Sequence, residues 1–488
     1  MQLKRPILVG GLGLSASLWL MNVVGHSPIG DGSGLLSMVA AGSGLWWLAR
    51  RRGSAEIEIA PSLAIGSVDR SAVEAAIERV ESSLEAITAE LADAQEDAPI
   101  CREIAQKRDA AVALLNSLDR DAVAIAIVGN KAAGKTQIAA QISNFYRDVT
   151  GFKVSEITEI NGEDTLPPLN SDIVLFVTAG DLTHSELERL QSLLRAGYRT
   201  QIVFNKQDQL APLDRQSVVQ RIQTRVEDLG VEVSAIAANP KPITVRRHQE
   251  NGEIEEFTQQ PEPQLQPLTD RLTHLFTEAL QQLVRTTALR QAKALLAETQ
   301  QMLNAQRRIK AMPVVENMQW IAAGSAFASP LPSLDLLAST AINAQMIVDL
   351  GALYGQSFSM EQAKAAASTL AELLVKLGLV ELSTQALGSV LKAHAATYVA
   401  GGALQGVSAA YLTRMVGISL IDFFEEQSFL APEKRKFAFA EMGDRLQTLF
   451  KAAKQTSALQ SFVDQALKHL PQKNKPTPAS AQTPAPAQ

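Results

Sequence analysis

One stretch constrains this chain more than any other. Residues 122–128, Ala-Val-Ala-Ile-Ala-Ile-Val, form a run of small and branched apolar residues that reads as a buried strand. The run ends in Gly129-Asn130-Lys131-Ala132-Ala133-Gly134-Lys135-Thr136, and a helical pattern starts at once behind it. Strand, Gly-x-x-x-x-Gly-Lys-Thr and helix in that order have the spacing of a phosphate-binding loop. Glycines let the backbone turn its N–H groups inward, and the helix that follows aims its positive N-terminal end at the same anion. Lys135 is then expected to reach the β- and γ-phosphates, and the Thr136 hydroxyl to ligate Mg²⁺. The competing reading is a glycine-containing turn that binds nothing.

A chain of 488 residues is too long for one core, so two or three structural units are expected. Apolar residues make up 46% and aromatic residues only 5%, with alanine and leucine dominant. That balance suits a mainly helical protein around one α/β domain. A net charge of −6 implies no strongly basic face, so no nucleic-acid partner is expected. Cys101 is the only cysteine, which excludes an internal disulfide and a Cys/His zinc cluster.

Further strands follow the loop, each an apolar run ahead of a helical pattern: 172–177 before a helix at 185–196, 200–204 before one at 214–229, and then 231–236. This alternation predicts right-handed crossovers, a mainly parallel sheet and ligands at the carboxyl ends of the strands. The 200–204 strand ends in Asn205-Lys206-Gln207-Asp208. A carboxylate there accepts two hydrogen bonds from the N1–H and exocyclic amine of guanine, while adenine presents the wrong edge. Asn205 is expected to tie this loop to the phosphate loop, and the aliphatic stem of Lys206 to cover the base.

Gly129–Thr136 together with Asn205–Asp208 resembles the Era-like branch of the translation-factor-related GTPases. Val177-Thr-Ala-Gly-Asp-Leu-Thr183 is similar to a turn of that branch, and the resemblance covers residues 121 to about 240. It implies an α/β P-loop GTPase domain binding GTP or GDP with Mg²⁺, the base supported by a short loop that Ala237-Ala238-Asn239 would supply. The middle departs from the family. Only thirty-five residues, 137–171, separate Thr136 from Asp172, and no Asp-x-x-Gly stands among them. Glu159-Ile-Asn-Gly162 is a Glu-for-Asp candidate, Asp164-Thr-Leu-Pro167 a remnant, and Thr150 or Thr158 a candidate switch threonine. No glutamine follows to orient an attacking water, so slow or partner-dependent hydrolysis is expected, with binding without turnover as the other outcome.

The flanks set the location. Two uncharged eighteen-residue runs, 7–24 and 32–49, are bounded by Lys4-Arg5 and Arg50-Arg51-Arg52. Each spans about 27 Å as a helix, near the thickness of a bilayer core. Basic residues at both outer ends and none in the turn put both ends in the cytoplasm, and Trp46 and Trp47 suit an interfacial belt. Residues 1–52 are therefore expected to form a transmembrane hairpin, with the nucleotide domain in the cytoplasm and lipid as a partner; the family resemblance implies a bacterial inner or internal membrane. Residues 53–67 read as a linker and 68–119 as a helical stalk. Its seam, Val73, Ile77, Val80, Leu84, Ile87 and Leu91, favours packing within the chain over a coiled-coil dimer. The GTP-binding domain takes 120–264, with a β-hairpin near 243–258 turning at Asn251-Gly252 and inserted at the sheet edge. A long helix is expected at 265–311.

Pro330-Leu-Pro-Ser-Leu-Asp-Leu-Leu337 and the helix after it look like the YcjF-type helical domain of unknown function, here 312–430. Within it, 395–413 carries no charge and holds Gly402-x-x-x-Gly406, which suits a buried helix or shallow membrane contact. Asp335 and His394 read as a helix cap and a core group. C-terminal helices at 431–470 and a disordered tail at 471–488 complete the chain. The overall expectation is a membrane-anchored nucleotide-dependent switch. A dynamin-like membrane-remodelling assembly, with homo-oligomers through the stalk or C-terminal domain, and a structural scaffold with a vestigial site are the alternatives.

Overall fold

The computed structural model describes residues 68–91, 99–161, 165–248, 254–328, 332–393, 402–430, 435, 442–453 and 456–469. The membrane hairpin, the linker, the hairpin turn at Asn251-Gly252, Gly162, Asp164, His394 and the tail all lie outside the described residues.

Among the described residues two helices come first, α1 (Arg70–Glu90) and α2 (Pro99–Asn116). A parallel five-stranded sheet follows, built from β1 (Ala122–Gly129), β2 (Lys153–Ile160), β3 (Ile173–Thr178), β4 (Thr200–Phe204) and β5 (Val233–Ala235) in the order β2-β1-β3-β4-β5. The central strands are buried on both faces, which is why they read as unbroken apolar runs. Crossover helices α3 (Lys135–Phe145), α4 (His184–Arg195) and α5 (Pro212–Val226) cover the two faces. The chain leaves β1 for β2 on one side and for β3 on the other, so the crevice where such sheets bind ligands opens at the end of β1.

Three expectations need correcting. The β-hairpin, β6 (Ile243–His248) with β7 (Ile254–Gln259), is a separate antiparallel two-stranded sheet and does not extend the main one. The helix expected at 265–311 is two: α6 (Gln266–Glu278) ends at Ala279, and α7 (Leu280–Ala328) continues for 49 residues, straight through Pro313. Its length is about 74 Å at the usual helical rise. The end expected at 311 is passed because tertiary packing on both sides of Pro313 holds the helix, outweighing the lost N–H.

α7 ties three cores together. Leu283 joins the sheet core, and Ala288, Ala292, Leu295 and Leu303 pack with the α1 seam. Val73, Ile77, Val80, Leu84 and Ile87 of that seam are each at most 3% exposed, so the seam is spent on intramolecular packing. Each such branched side chain stabilises by about 2 kcal/mol relative to exposure. Further along, Ala311, Val315 and Ala323 enter the helical core formed with α8 (Pro332–Leu353), α9 (Met360–Lys376), α10 (Leu379–Ala393), α11 (Gly402–Gln427), α12 (Met442–Ala453) and α13 (Thr456–His469).

One close crossing in that core is at Gly417. A Cβ at Gly417 would meet Val315 at 2.6 Å and the Met346 sulfur at 3.1 Å. Among the described residues one helix, Leu404–Gln427, is long and apolar enough to cross a bilayer, and 72% of its apolar window is buried inside the protein. It also carries Arg414, Asp422 and Glu425 in ion pairs with α7. Packed as a core helix, it adds nothing to a multi-pass arrangement.

Candidate functional site

The loop between β1 and α3 closes tightly because two of its residues lack side chains. A Cβ on Gly129 would lie 2.3 Å from the Val177 carbonyl oxygen of β3. Gly134 sits at φ +97°, and a Cβ there would lie 2.3 Å from Asn205 Nδ2. Only glycine meets both demands at Gly134, the left-handed backbone and the close approach. The loop thereby ends at the first turn of α3, whose N–H groups have no acceptor within the helix.

Lys135 is buried, and its Nζ donates to the carbonyls of Gly129 at 2.9 Å and Asn130 at 3.1 Å. Thr136 Oγ1 donates to Glu159 Oε2 at 2.8 Å. The parallel register pairs Glu159 with Ile127 of β1, which carries its carboxylate to the level of the loop. Asn130 Nδ2 donates at 2.9 Å to Glu186, a buried residue of α4 that also accepts from Thr183 N and Oγ1 in a capping box. Thr183-x-x-Glu186 was the signal for that box, but nothing in the sequence pointed it toward Asn130.

The second loop meets the first. Asn205 is 2% exposed; its Nδ2 donates to Ala133 O at 2.9 Å and its Oδ1 accepts from Ala238 N at 3.1 Å. Lys206, at φ +64°, sends its Nζ to Ala132 O at 2.7 Å. A cleft of about 640 Å³ opens here, walled by Lys131, Ala132, Gly134, Lys135, Thr136, Gln137, Asn161, Asn205, Lys206 and Asn239. Gly129, Asn130 and Ala133 belong to the same loop, and Ala238 N is held by Asn205, without walling the cleft.

Asp208 is the exception. Its Oδ2 accepts from Lys241 N at 2.9 Å, and its Oδ1 is buried without a partner. It does not line the cleft. Ala237 is turned away too, exchanging backbone hydrogen bonds with Gln264.

Thr158 donates to Glu156 at 2.9 Å, and Thr150 is exposed in the turn after α3, so neither is paired with the Thr136–Glu159 contact. Among the described residues one strand, β2, fills the interval before β3, and it supplies the carboxylate that pairs with Thr136. Among the described residues no three His, Cys, Asp or Glu side chains gather as a metal cage. A hydroxyl beside a carboxylate fits Mg²⁺, which keeps waters and takes most of its ligands from phosphates.

The site is braced from behind. Asp172, fully buried at the start of β3, accepts from Arg120 at 2.9 and 2.5 Å and from Ala124 N at 2.8 Å. Arg290 of α7 donates to Gly197 O at 2.8 Å, Leu169 O at 3.1 Å and Ser171 O at 2.5 Å, and lies 4.2 Å over the Tyr198 ring. Burial lowers its pKa to about 10, opposed by Tyr198 and Asp172. A buried arginine on a long helix carries no sequence signature, and its role is legible only in three dimensions.

Residues 290–455 match the family model of a domain of unknown function, DUF697. The match agrees with the C-terminal helical domain expected from Pro330–Leu337 and widens it. It begins at Arg290 itself, inside α7, rather than at 312. It covers about a third of the chain and none of the sheet. Among curated proteins none matches this chain.

Proposed function

We propose that this chain is a membrane-anchored GTP-binding protein that works as a nucleotide-dependent switch, with slow or partner-stimulated hydrolysis. The observation that carries the reading is Asn205, which joins the phosphate loop at Ala133 to the base-side loop at Ala238 in one buried side chain. A turn that bound nothing would have no use for such a brace. Lys135 and the first turn of α3 would hold the β- and γ-phosphates, and Lys206 would cover the base with its stem. Mg²⁺ supplies charge neutralisation between the phosphates when bound, and Thr136 with Glu159 would hold it. The 1–52 segment would anchor the chain, leaving the nucleotide domain in the cytoplasm.

One observation favours a second reading, a scaffold with a vestigial site: Asp208 already holds Lys241 and stands off the cleft. Titration of the full chain in lipid or detergent with fluorescent GTP, GDP and ATP separates the two. Saturable guanine-nucleotide binding, lost in Lys135→Ala and weaker for ATP, supports the switch. No saturable binding, or a preference for ATP, removes it.

A further inference from the structure

Guanine presents two neighbouring donors, and a carboxylate must offer both oxygens to take them. In Asp208 one oxygen is taken by the Lys241 N–H and the other is buried and unpaired. Lys241 therefore occupies a place that a base would need. The leg that carries it is held from the far side. Gln260 Nε2 donates to Pro240 O at 2.6 Å and to Asn239 Oδ1 at 3.4 Å. Further in, Ala237 and Gln264 exchange backbone hydrogen bonds of 3.0 and 2.9 Å, and Gln207 Nε2 donates to Gln264 Oε1 at 3.2 Å. The hairpin β6–β7 joins these two legs: Lys241 lies two residues before β6, and Gln260 directly follows β7.

We propose that the legs 239–241 and 260–264 are a gate on the base end of the cleft, and that the β6–β7 hairpin is its lever. The inference rests on the nucleotide reading above. Closed, the gate keeps Lys241 on Asp208 and leaves one buried acceptor unmet. Open, it exposes both oxygens to a base with two donors, which satisfies what the closed state leaves unpaired. Pro240 is the one buried residue of the two legs, and Asn239, Lys241, Gln260 and Gln264 are exposed, so opening disturbs little of the core. Because the second leg runs directly into α6, any pull on the hairpin or on α6 reaches the base pocket through Gln264 and Gln260. A bound base already holds the gate open, so a looser gate speeds entry and leaves exit unchanged.

The test is stopped-flow exchange of fluorescent GDP on the full chain. Gln260→Ala removes the side-chain tether and is expected to raise the association rate by about fivefold, the weight of one ordinary hydrogen bond, with dissociation unchanged. Replacing 243–259 with a flexible Gly-Ser segment is expected to do the same; the five-stranded sheet does not include the hairpin, and thermal unfolding checks that it survives. Association rates within about twofold of the parent in both variants, with GDP still binding, overturn the gate and leave the nucleotide reading intact. Absence of saturable GDP binding by the parent chain overturns the nucleotide reading, and the gate with it.

Discussion

Lys206 and Ala132 are the two non-glycine residues held at positive φ among the described residues, at +64° and +63°, and the amino group of the first donates to the carbonyl of the second at 2.7 Å. Backbone of this kind costs energy in an L-residue and persists where its surroundings impose it. Both strained residues stand at the mouth of the cleft, on the two loops that Asn205 joins. Ala132→Gly should relieve the strain. It is expected to leave stability unchanged or raise it by about 1 kcal/mol. Ala140→Gly, on the exposed face of α3, is expected to cost about 1 kcal/mol. Denaturant unfolding of the pair checks the contrast, and equal losses would show that Ala132 is unstrained.

Glu159→Gln keeps the shape of the Thr136 partner and removes its charge. The magnesium concentration that half-restores nucleotide affinity is expected to rise about tenfold, as for other residues that orient a metal's ligands. Affinity in excess chelator should not change. A loss of affinity without magnesium would make Glu159 a structural residue rather than a metal-orienting one.

Arg290→Met is expected to destabilise by about 3 kcal/mol, since it leaves the carbonyls of Gly197, Leu169 and Ser171 without their shared donor. Amide exchange should quicken first in the peptides around 165–173. Unchanged exchange there would mean that α7 does not brace the start of β3.

Arg308 of α7 pairs with Asp422 at 2.8 Å and Glu425 at 3.0 Å, and Tyr354 OH donates to Glu425 at 3.1 Å. Burial raises the Glu425 pKa to about 6 against the pull of Arg308. A carboxyl whose pKa is raised by folding contributes stability fully below about pH 4.5 and loses it as pH rises through about 6. Relative to Glu425→Gln, the parent chain should therefore lose about 2 kcal/mol between pH 4.5 and 7. Unfolding of both chains across that range checks the sign. A parent that gains on the variant would show that the Arg308 pairing outweighs burial.

The strands and crossover helices were legible because their signal is local. Apolar runs at 122–128 and 200–204 became β1 and β4, and the seam from Val73 to Ile87 became the buried face of α1. The tie that Asn205 makes to the Gly129–Thr136 loop was legible because it follows from residue type and spacing. What escaped needed neighbours far along the chain. The helix expected to end at 311 runs on to Ala328, carried through Pro313 by packing on both sides. Asp208 suggested an open acceptor, and a backbone N–H thirty-three residues later covers it. Arg120 gave no sign that it would neutralise Asp172, because a buried ion pair across a sheet leaves no periodic trace.

The 49-residue helix belongs to no single part of the molecule. Its early turns complete the sheet core and the α1 seam, and its later turns complete the C-terminal bundle. Neither half can be excised with its greasy side covered. A gene fragment begun at residue 290 would carry a bare strip where α1 had lain, so recombination can trade these modules only by carrying the shared rod along.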